Sequence, residues 1–231
     1  MMDDFLKSSS FFGMFASVAF YLLGIELKRR FRMPLFNPLL VAIAGAIVVV
    51  ILFRIDYADY NRGMSIFNYL MTPATVCLAV PLYDEFSILK KNGRAIVLGV
   101  LAGVLTCMVT ILIFAAAFHF DHTMFVTLLP KSITTAIGVG LCAEMGGNSA
   151  ITVAAIVITG VLGGIFAETF LRLFHITEPV AKGVAIGTAA HAVGTAEAMK
   201  IGEIEGAMAS LSIVVAGMLT VASANIFARF L

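Results

Sequence analysis

Six long runs without a charged residue constrain this chain more than any other feature of its sequence. A helix needs roughly 20 apolar residues to cross a hydrocarbon core of about 30 Å, and each run approaches or exceeds that length. The runs are residues 8–25, 33–53, 63–83, 95–119, 145–167 and 206–228. The sequence therefore predicts an all-α polytopic membrane protein with about six full transmembrane helices.

Composition excludes the main soluble classes of protein. The hydrophobic fraction is 61%, the charged fraction 13% and the mean hydropathy +1.03, which leaves too little polar surface to coat a water-soluble globule. A net charge of +1, without a face-sized basic cluster, argues against nucleic acid as a partner. Cys77, Cys107 and Cys142 lie in apolar runs without metal-ligand spacing. We interpret them as buried small hydrophobes and predict no metal and no cofactor.

The basic residues predict the orientation of the chain in the membrane. Positively charged residues beside short loops remain in the cytoplasm. The cluster Lys28, Arg29, Arg30 and Arg32 therefore places the end of the first helix inside and the amino terminus outside. The same rule favours a cytoplasmic carboxyl terminus in this multi-pass membrane protein.

Two segments are predicted to be interrupted or re-entrant. Lys131 and Glu144 divide residues 123–147, and the charge-free stretch 132–143 would reach only about 18 Å as a helix. Re-entry is the interpretation that the charge rule favours; a full crossing would move three later cations, Arg172, Lys182 and Arg229, to the outside. Residues 183–200 form the second short segment.

A weak internal repeat predicts the domain organisation. Residues 75–84 align with residues 188–197 through a shared threonine, an Ala-Val pair, a helix breaker and an acid. The two copies would run in opposite directions, as in the inverted repeats of secondary transporters. The prediction is one transmembrane domain, 1–231, with a first helix and basic loop (1–32), repeat one (33–120) and repeat two (121–231). Chance similarity between two alanine-rich segments is the alternative.

The first copy predicts one wall of a site. Pro73 and Pro81 each remove a backbone donor, and irregular backbone at membrane depth is tolerated where it lines a cavity. The alternative is a kinked structural helix. The substrate-binding candidates are Thr72, Pro73, Ala74, Thr75 and Pro81, and Asp84 is a candidate for ion coupling.

The second copy predicts the opposite wall. Its glycines and alanines would also suit close helix packing, but a histidine inside a short membrane segment needs a cavity or a partner. Because imidazole titrates near neutrality, His191 suits proton transfer, with a satisfied structural histidine as the alternative. The candidates are Thr188, His191, Gly194 and Thr195 for substrate, and His191 and Glu197 for coupling to H⁺ or Na⁺.

The segment around Lys131 predicts a third wall. Pro130 and Ser132 suit the first turn of a helix, whose free N–H groups attract anions. Lys131 would add a full positive charge, unless its side chain snorkels to the headgroups instead. With Lys131, Ser132, Thr134 and Thr135 as candidates, the three walls predict a pocket for a small organic anion.

Several motifs together resemble the LrgB/CidB family, known as antiholin-like proteins or murein hydrolase export regulators and related to the plastid glycolate/glycerate translocator. The motifs are residues 37–40 (Asn-Pro-Leu-Leu), 73–75 (Pro-Ala-Thr), 79–83 (Ala-Val-Pro-Leu-Tyr), 129–135 (Leu-Pro-Lys-Ser-Ile-Thr-Thr), 187–196 (Gly-Thr-Ala-Ala-His-Ala-Val-Gly-Thr-Ala) and 205–207 (Glu-Gly-Ala). The resemblance covers essentially the whole chain.

The resemblance implies transport of small monocarboxylates such as glycolate, glycerate or pyruvate across the bacterial inner membrane, coupled to H⁺ or Na⁺. It also implies a smaller holin-like partner of the LrgA/CidA type. Two positions depart from the family pattern: Ala136 stands where proline is usual, and Glu197 where arginine is usual. Loss of that arginine removes a carboxylate clamp and makes Lys131 the leading anion ligand.

Two functions follow as expectations. The first is a secondary transporter of small monocarboxylates, and the alternative is an antiholin-like regulator of murein hydrolase export and lysis that acts with the holin-like partner. An enzyme is not expected, because no nucleophile with a base and no metal triad is evident. Small-residue faces suggest a homodimer or a larger homo-oligomer.

Overall fold

A computed structural model describes residues 11–31, 36–77, 79–84 and 86–231 of the 231-residue chain. Within these ranges the backbone alone is described for Asn68, Met71, Thr72, Ala74, Thr75, Ala79, Pro81, Leu82, Phe86 and Leu89. All regular secondary structure in these ranges is helical, and none of the described residues forms a strand. The predicted all-α membrane fold is confirmed.

Close packing divides the chain between residues 77 and 78 into two compact units. The first contains helices α1 (Phe12–Phe31), α2 (Pro38–Leu52), α3 (Tyr57–Gly63) and α4 (Ser65–Cys77). Helix α2 begins as its sequence predicts, since Asn37 Oδ1 accepts a hydrogen bond of 2.9 Å from the amide of Leu39 and Pro38 occupies the first turn. Gly24 lets α1 and α2 approach, because a Cβ there would lie 2.6 Å from the Cα of Pro38.

The second unit contains the remaining helices. These are α5 (Ala79–Asp84), α6 (Phe86–Ala117), α7 (His122–Leu128), α8 (Thr135–Glu144), α9 (Ser149–Leu173), α10 (Pro179–Ile201), α11 (Glu203–Phe227) and a short 3₁₀-helix (Ala228–Phe230). Three stretches are long and apolar enough to cross a membrane, judged by length and composition: Lys90–Ala117, Ser149–Leu173 and Glu203–Phe230. They agree within a few residues with three of the predicted runs.

The other predicted runs take a different form. Helix α2 has 15 residues, so it reaches only about 22 Å of the run at 33–53. The run at 63–83 contains α4 and α5, with Leu78 between them outside the described residues. Helix α4 continues through Pro73, because a proline removes one hydrogen bond without necessarily ending a helix. The cations Lys28, Arg29 and Arg30 lie in the last turn of α1 rather than after it.

Both predicted interruptions in the second unit are present. Between α7 and α8 the chain turns over residues 129–134, and the second segment breaks inside α10. Glycines hold α10 against α11, since a Cβ on Gly183 would come 2.5 Å from the main-chain oxygen of Glu205. A Cβ on Gly187 would likewise collide with the backbone of Ala209. The broken helix is thus fixed on one side by backbone-to-backbone contact.

Candidate functional site

A cavity of about 1130 Å³ lies within the second unit, between α6, α9, α10 and the turn that joins α7 to α8. Its α6 wall presents small and polar side chains at helical spacing, so one face of an otherwise apolar helix is turned toward it. That wall comprises Lys91, Asn92, Ala95, Ile96, Gly99, Gly103, Thr106 and Cys107. The cavity therefore follows a helix that is long enough to span the membrane.

Lys131 and Ser132 line one end of this cavity. The Lys131 Nζ lies 3.2 Å from Ser132 Oγ, which in turn lies 3.2 Å from Cys107 Sγ. Lys91 also lines the cavity. It lies 16 residues before Cys107 on α6, which corresponds to a helical rise of roughly 24 Å. The contact with Cys107 places the Lys131 ammonium beside the interior of the stretch Lys90–Ala117 rather than at its end.

The turn that carries Lys131 has a definite backbone structure. The Lys131 amide donates to the Leu128 oxygen at 3.1 Å, and the Ile133 amide donates to the Pro130 oxygen at 3.3 Å. Thr134 then begins α8 with extended backbone and no capping bond from its own side chain. These local bonds hold Lys131 and Ser132 outside the helices on either side.

Thr188 projects from α10 onto the same cavity. Its side chain is 7% exposed, and its Oγ1 is buried without a hydrogen-bond partner among the described residues. A Cβ on Gly103 of α6 would approach Thr188 Cγ2 to 2.6 Å, so the glycine makes room for the threonine. The hydroxyl is therefore buried and unpaired among the described residues, in a residue that lines the cavity.

Helix α10 is broken at His191, whose φ of 41° and ψ of −136° are not helical. A positive φ is unusual for any residue but glycine and is a form of backbone strain that clusters at functional sites. The imidazole Nε2 lies 3.0 Å from the Ile156 oxygen of α9, and Thr195 Oγ1 donates to the His191 oxygen at 3.0 Å. The break at His191 is thus held by one hydrogen bond to α9 and by one within α10.

His191 is buried in the contact between α9 and α10. A Cβ on Gly160 would lie 2.5 Å from the imidazole Cε1, so the ring packs directly on that glycine. His191, Gly194 and Thr195 are not among the residues that line the cavity. Among the described contacts, the histidine joins two helices instead of facing the open space.

The structure brings together three of the predicted site residues: Lys131, Ser132 and Thr188. Thr134 is half-buried and Thr135 exposed at the start of α8, and neither lines the cavity. Pro73 and Asp84 are exposed, and Glu197 forms an ion pair of 2.8 Å with Lys200. The side chains of Thr72, Ala74, Thr75 and Pro81 lie outside the described residues, so the predicted first wall stays a prediction.

Most residues that line the cavity were not predicted from the sequence, among them the polar side chains of Thr106, Cys107 and Thr159. The interpretation of all three cysteines as buried hydrophobes is wrong for two of them, because Cys77 is exposed and Cys107 is half-buried at the cavity; Cys142 is buried as expected. The signal that identifies the α6 wall is its spacing, with Gly99, Gly103 and Cys107 recurring every four residues.

No cluster of three or more histidine, cysteine, aspartate or glutamate side chains suited to a metal ion occurs within the described ranges. The polar groups that line the cavity are two lysines, the Glu178 carboxylate, the Asn92 amide, several hydroxyls and a thiol. The cations and hydroxyls among them bind and orient an anion by charge and hydrogen bonding.

Comparison with known proteins identifies the family of the chain. Residues 17–230 match the model of the LrgB-like family. The antiholin-like protein LrgB of Bacillus subtilis (strain 168) is 34% identical over 224 residues, which cover 96% of this chain and 97% of that protein. No solved structure matches the chain. A family match over nearly the whole chain, with a full-length relative, shows that this helical membrane protein belongs to the LrgB-like family.

Proposed function

We propose that the protein is a secondary transporter of small organic monocarboxylates. The observation that carries the proposal is the position of Lys131, a cation in a large cavity beside the interior of a spanning helix. A charged side chain at membrane depth is costly, and it marks a substrate or ion path when it faces a water-filled space.

The charges around the cavity support an anionic ligand. Glu178 is the carboxylate among the described lining residues, and it occupies the N-cap position of α10 without a capping hydrogen bond from its side chain. Thr188 lies ten residues after Glu178 on α10, so the two residues are about 15 Å apart along the helix axis. Lys131 is left with Ser132 as its described hydrogen-bond partner, and a carboxylate would supply the missing negative charge.

The volume of the cavity supports a path rather than a closed binding site. Sites for drug-sized ligands are about 300–1,000 Å³. A cavity of about 1130 Å³ exceeds what a two- or three-carbon acid needs and leaves room for water beside it. The predicted inverted repeat of residues 75–84 and 188–197 would suit alternating access to that path, with H⁺ or Na⁺ as the coupling ion.

Uptake by reconstituted protein tests the proposal. Proteoliposomes should accumulate labelled glycolate or pyruvate with saturation, under an imposed H⁺ or Na⁺ gradient. Lys131→Met should reduce uptake by more than tenfold, while Lys131→Arg retains part of it because the charge remains. Lys200→Met removes an exposed lysine paired with Glu197 and serves as the matched control. Uptake by Lys131→Met equal to that of the wild type would contradict the assignment.

A second candidate function rests on the relative that is 34% identical and named antiholin-like. In this function the chain regulates murein hydrolase export and lysis together with a holin-like membrane partner. The same vesicles distinguish the two, because a pore-forming or pore-inhibiting protein changes dye leakage without saturation by a carboxylate. Leakage that depends on a co-reconstituted holin-like protein, with no saturable uptake of any short carboxylate, would favour the regulator.

A further inference from the structure

Lys131 also lines a second space in the same unit, an apolar pocket of about 360 Å³. The other described residues that line this aromatic pocket are Ile111, Phe114, Phe118, Phe120 and Leu128. None of these five lines the large cavity. Among the described residues, Lys131 is therefore the one that the two spaces share.

Helix α6 runs along both spaces. Cys107 lines the large cavity, and Ile111, Phe114 and Phe118 follow it at spacings of three and four residues, which keeps them on one face of the helix. Lys91 lines the large cavity 27 residues before Phe118, a helical rise of roughly 40 Å. Because a hydrocarbon core is about 30 Å thick, the two spaces together follow α6 over the full depth of a membrane.

The two ends of this course differ in chemistry. Where α6 begins, charged and polar side chains of α6 and α10 line the large cavity. Beyond Lys131, every described side chain that lines the aromatic pocket is apolar. The Phe118 ring centroid lies 6.2 Å from that of Phe114 and 6.1 Å from that of Phe120, so the three rings form one apolar surface. Apolar constrictions of this kind exclude water and ions.

We infer that the aromatic pocket is the closed half of the solute path, and that the Phe118 ring bars passage between Lys131 and the membrane face at which α6 ends. The inference rests on the proposed function, in which the large cavity admits the solute. In this conformation an anion can reach Lys131 from the face at which α6 begins. Beyond Lys131 it meets no polar side chain among the described lining residues, and an unpaired charge is costly there. Movement of the Phe118 ring is the step that opens this half.

Labelling of Cys107 from each face of the membrane tests the inference without a transport measurement. The parent protein carries Cys77→Ser and Cys142→Ser, and a membrane-impermeant methanethiosulfonate is applied to one face of oriented proteoliposomes at a time. Cys107 should react from the face at which α6 begins, and at least about tenfold more slowly from the other face. Phe118→Ala should raise the slow rate by about tenfold or more. Phe118→Trp, which keeps an aromatic ring, should leave it slow.

Phe170→Ala is the matched control. Phe170 is likewise exposed and lies 6.3 Å from the Phe166 ring and 6.4 Å from the Phe174 ring, but it belongs to α9 and lines neither space. Its replacement should leave labelling one-sided.

Three results would overturn the inference and leave the proposed function standing: equal labelling of the parent protein from both faces, one-sided labelling that persists in Phe118→Ala, or an equal effect of Phe170→Ala. The proposed function has a separate readout. If Phe118→Ala abolishes one-sided labelling but the wild type shows no saturable uptake of a carboxylate, the transport proposal is overturned and the Phe118 barrier remains.

Discussion

The imidazole of His191 lies 3.0 Å from the main-chain oxygen of Ile156, 35 residues earlier in the chain. This contact joins the break in α10 to the first half of α9. A backbone conformation of this kind costs of the order of 1–3 kcal/mol and persists where the surroundings enforce it. The side chain of His191 is therefore part of what holds α10 in its broken form, between Thr188 on one side and Thr195 on the other.

Replacement of His191 tests that role. His191→Ala removes the contact with Ile156 and keeps the unfavourable φ, so it should lower the free energy of unfolding by about 1–3 kcal/mol. His191→Gly removes the same contact but relaxes the backbone, and it should be more stable than the alanine variant by roughly 1 kcal/mol. Thermal unfolding in detergent measures both. An alanine variant as stable as the glycine variant would show that the backbone there is unstrained.

Gly160 offers an independent approach to the same contact. Gly160→Ala would place a Cβ 2.5 Å from the imidazole Cε1, so the ring must leave its position beside Ile156. We expect a loss of stability similar to that of His191→Ala. Gly140→Ala is the matched control, because no atom lies within 4 Å of a Cβ built there. Alanine in an open helical position should raise stability by up to about 1 kcal/mol.

The helix breakers in the sequence located the interrupted segment but not the residue at which it breaks. Gly187 and Gly194 flank His191 and are the residues that tolerate a positive φ most easily. Both are helical instead, and Gly187 serves the close approach of α10 to α11. The break occurs at His191, where a bond to Ile156 compensates the strain, and a sequence pattern does not contain that tertiary contact.

The site was likewise predicted in part. Lys131 and Ser132 stood out because charge and hydroxyls interrupt an apolar segment, and both line the cavity. Cys107 did not, because a cysteine within an apolar run has the pattern of a core residue. The position of Cys107 at the cavity depends on the tertiary fold, because the turn after α7 places Ser132 Oγ 3.2 Å from the Cys107 sulfur. Local pattern thus identified the long helices α6, α9 and α11, whereas the lining of the cavity depends on how they pack.

Cys107 provides a reporter for the charge in the cavity. In a variant with Cys77→Ser and Cys142→Ser, an anionic methanethiosulfonate should label Cys107 at least about 3-fold faster than a cationic one of similar size, because Lys131 attracts it. Mass spectrometry after timed labelling gives the rates. Lys131→Met should remove the preference, and excess lactate should slow labelling. Equal labelling rates for both reagents in the protein that retains Lys131 would show that the lysine charge does not reach the Cys107 thiol.

An ion pair between α10 and α11 yields the last prediction. Lys182 Nζ lies 3.8 Å from Glu205 Oε1, and the two side chains are only 25% and 10% exposed. A buried carboxylate that loses its partner pays for desolvation without compensation, so Lys182→Met should destabilise the protein by about 1–3 kcal/mol.

The double variant distinguishes this ion pair from ordinary packing. Adding Glu205→Gln to Lys182→Met removes the unpaired charge, and more than half of the lost stability should return. The comparison requires thermal unfolding of both single variants and the double variant, so that the coupling free energy can be isolated. Losses that simply add would mean that the two side chains act independently. Recovery would show that Lys182 and Glu205 act as a pair at the interface between α10 and α11. The glycine contacts of α10 lie at the same interface.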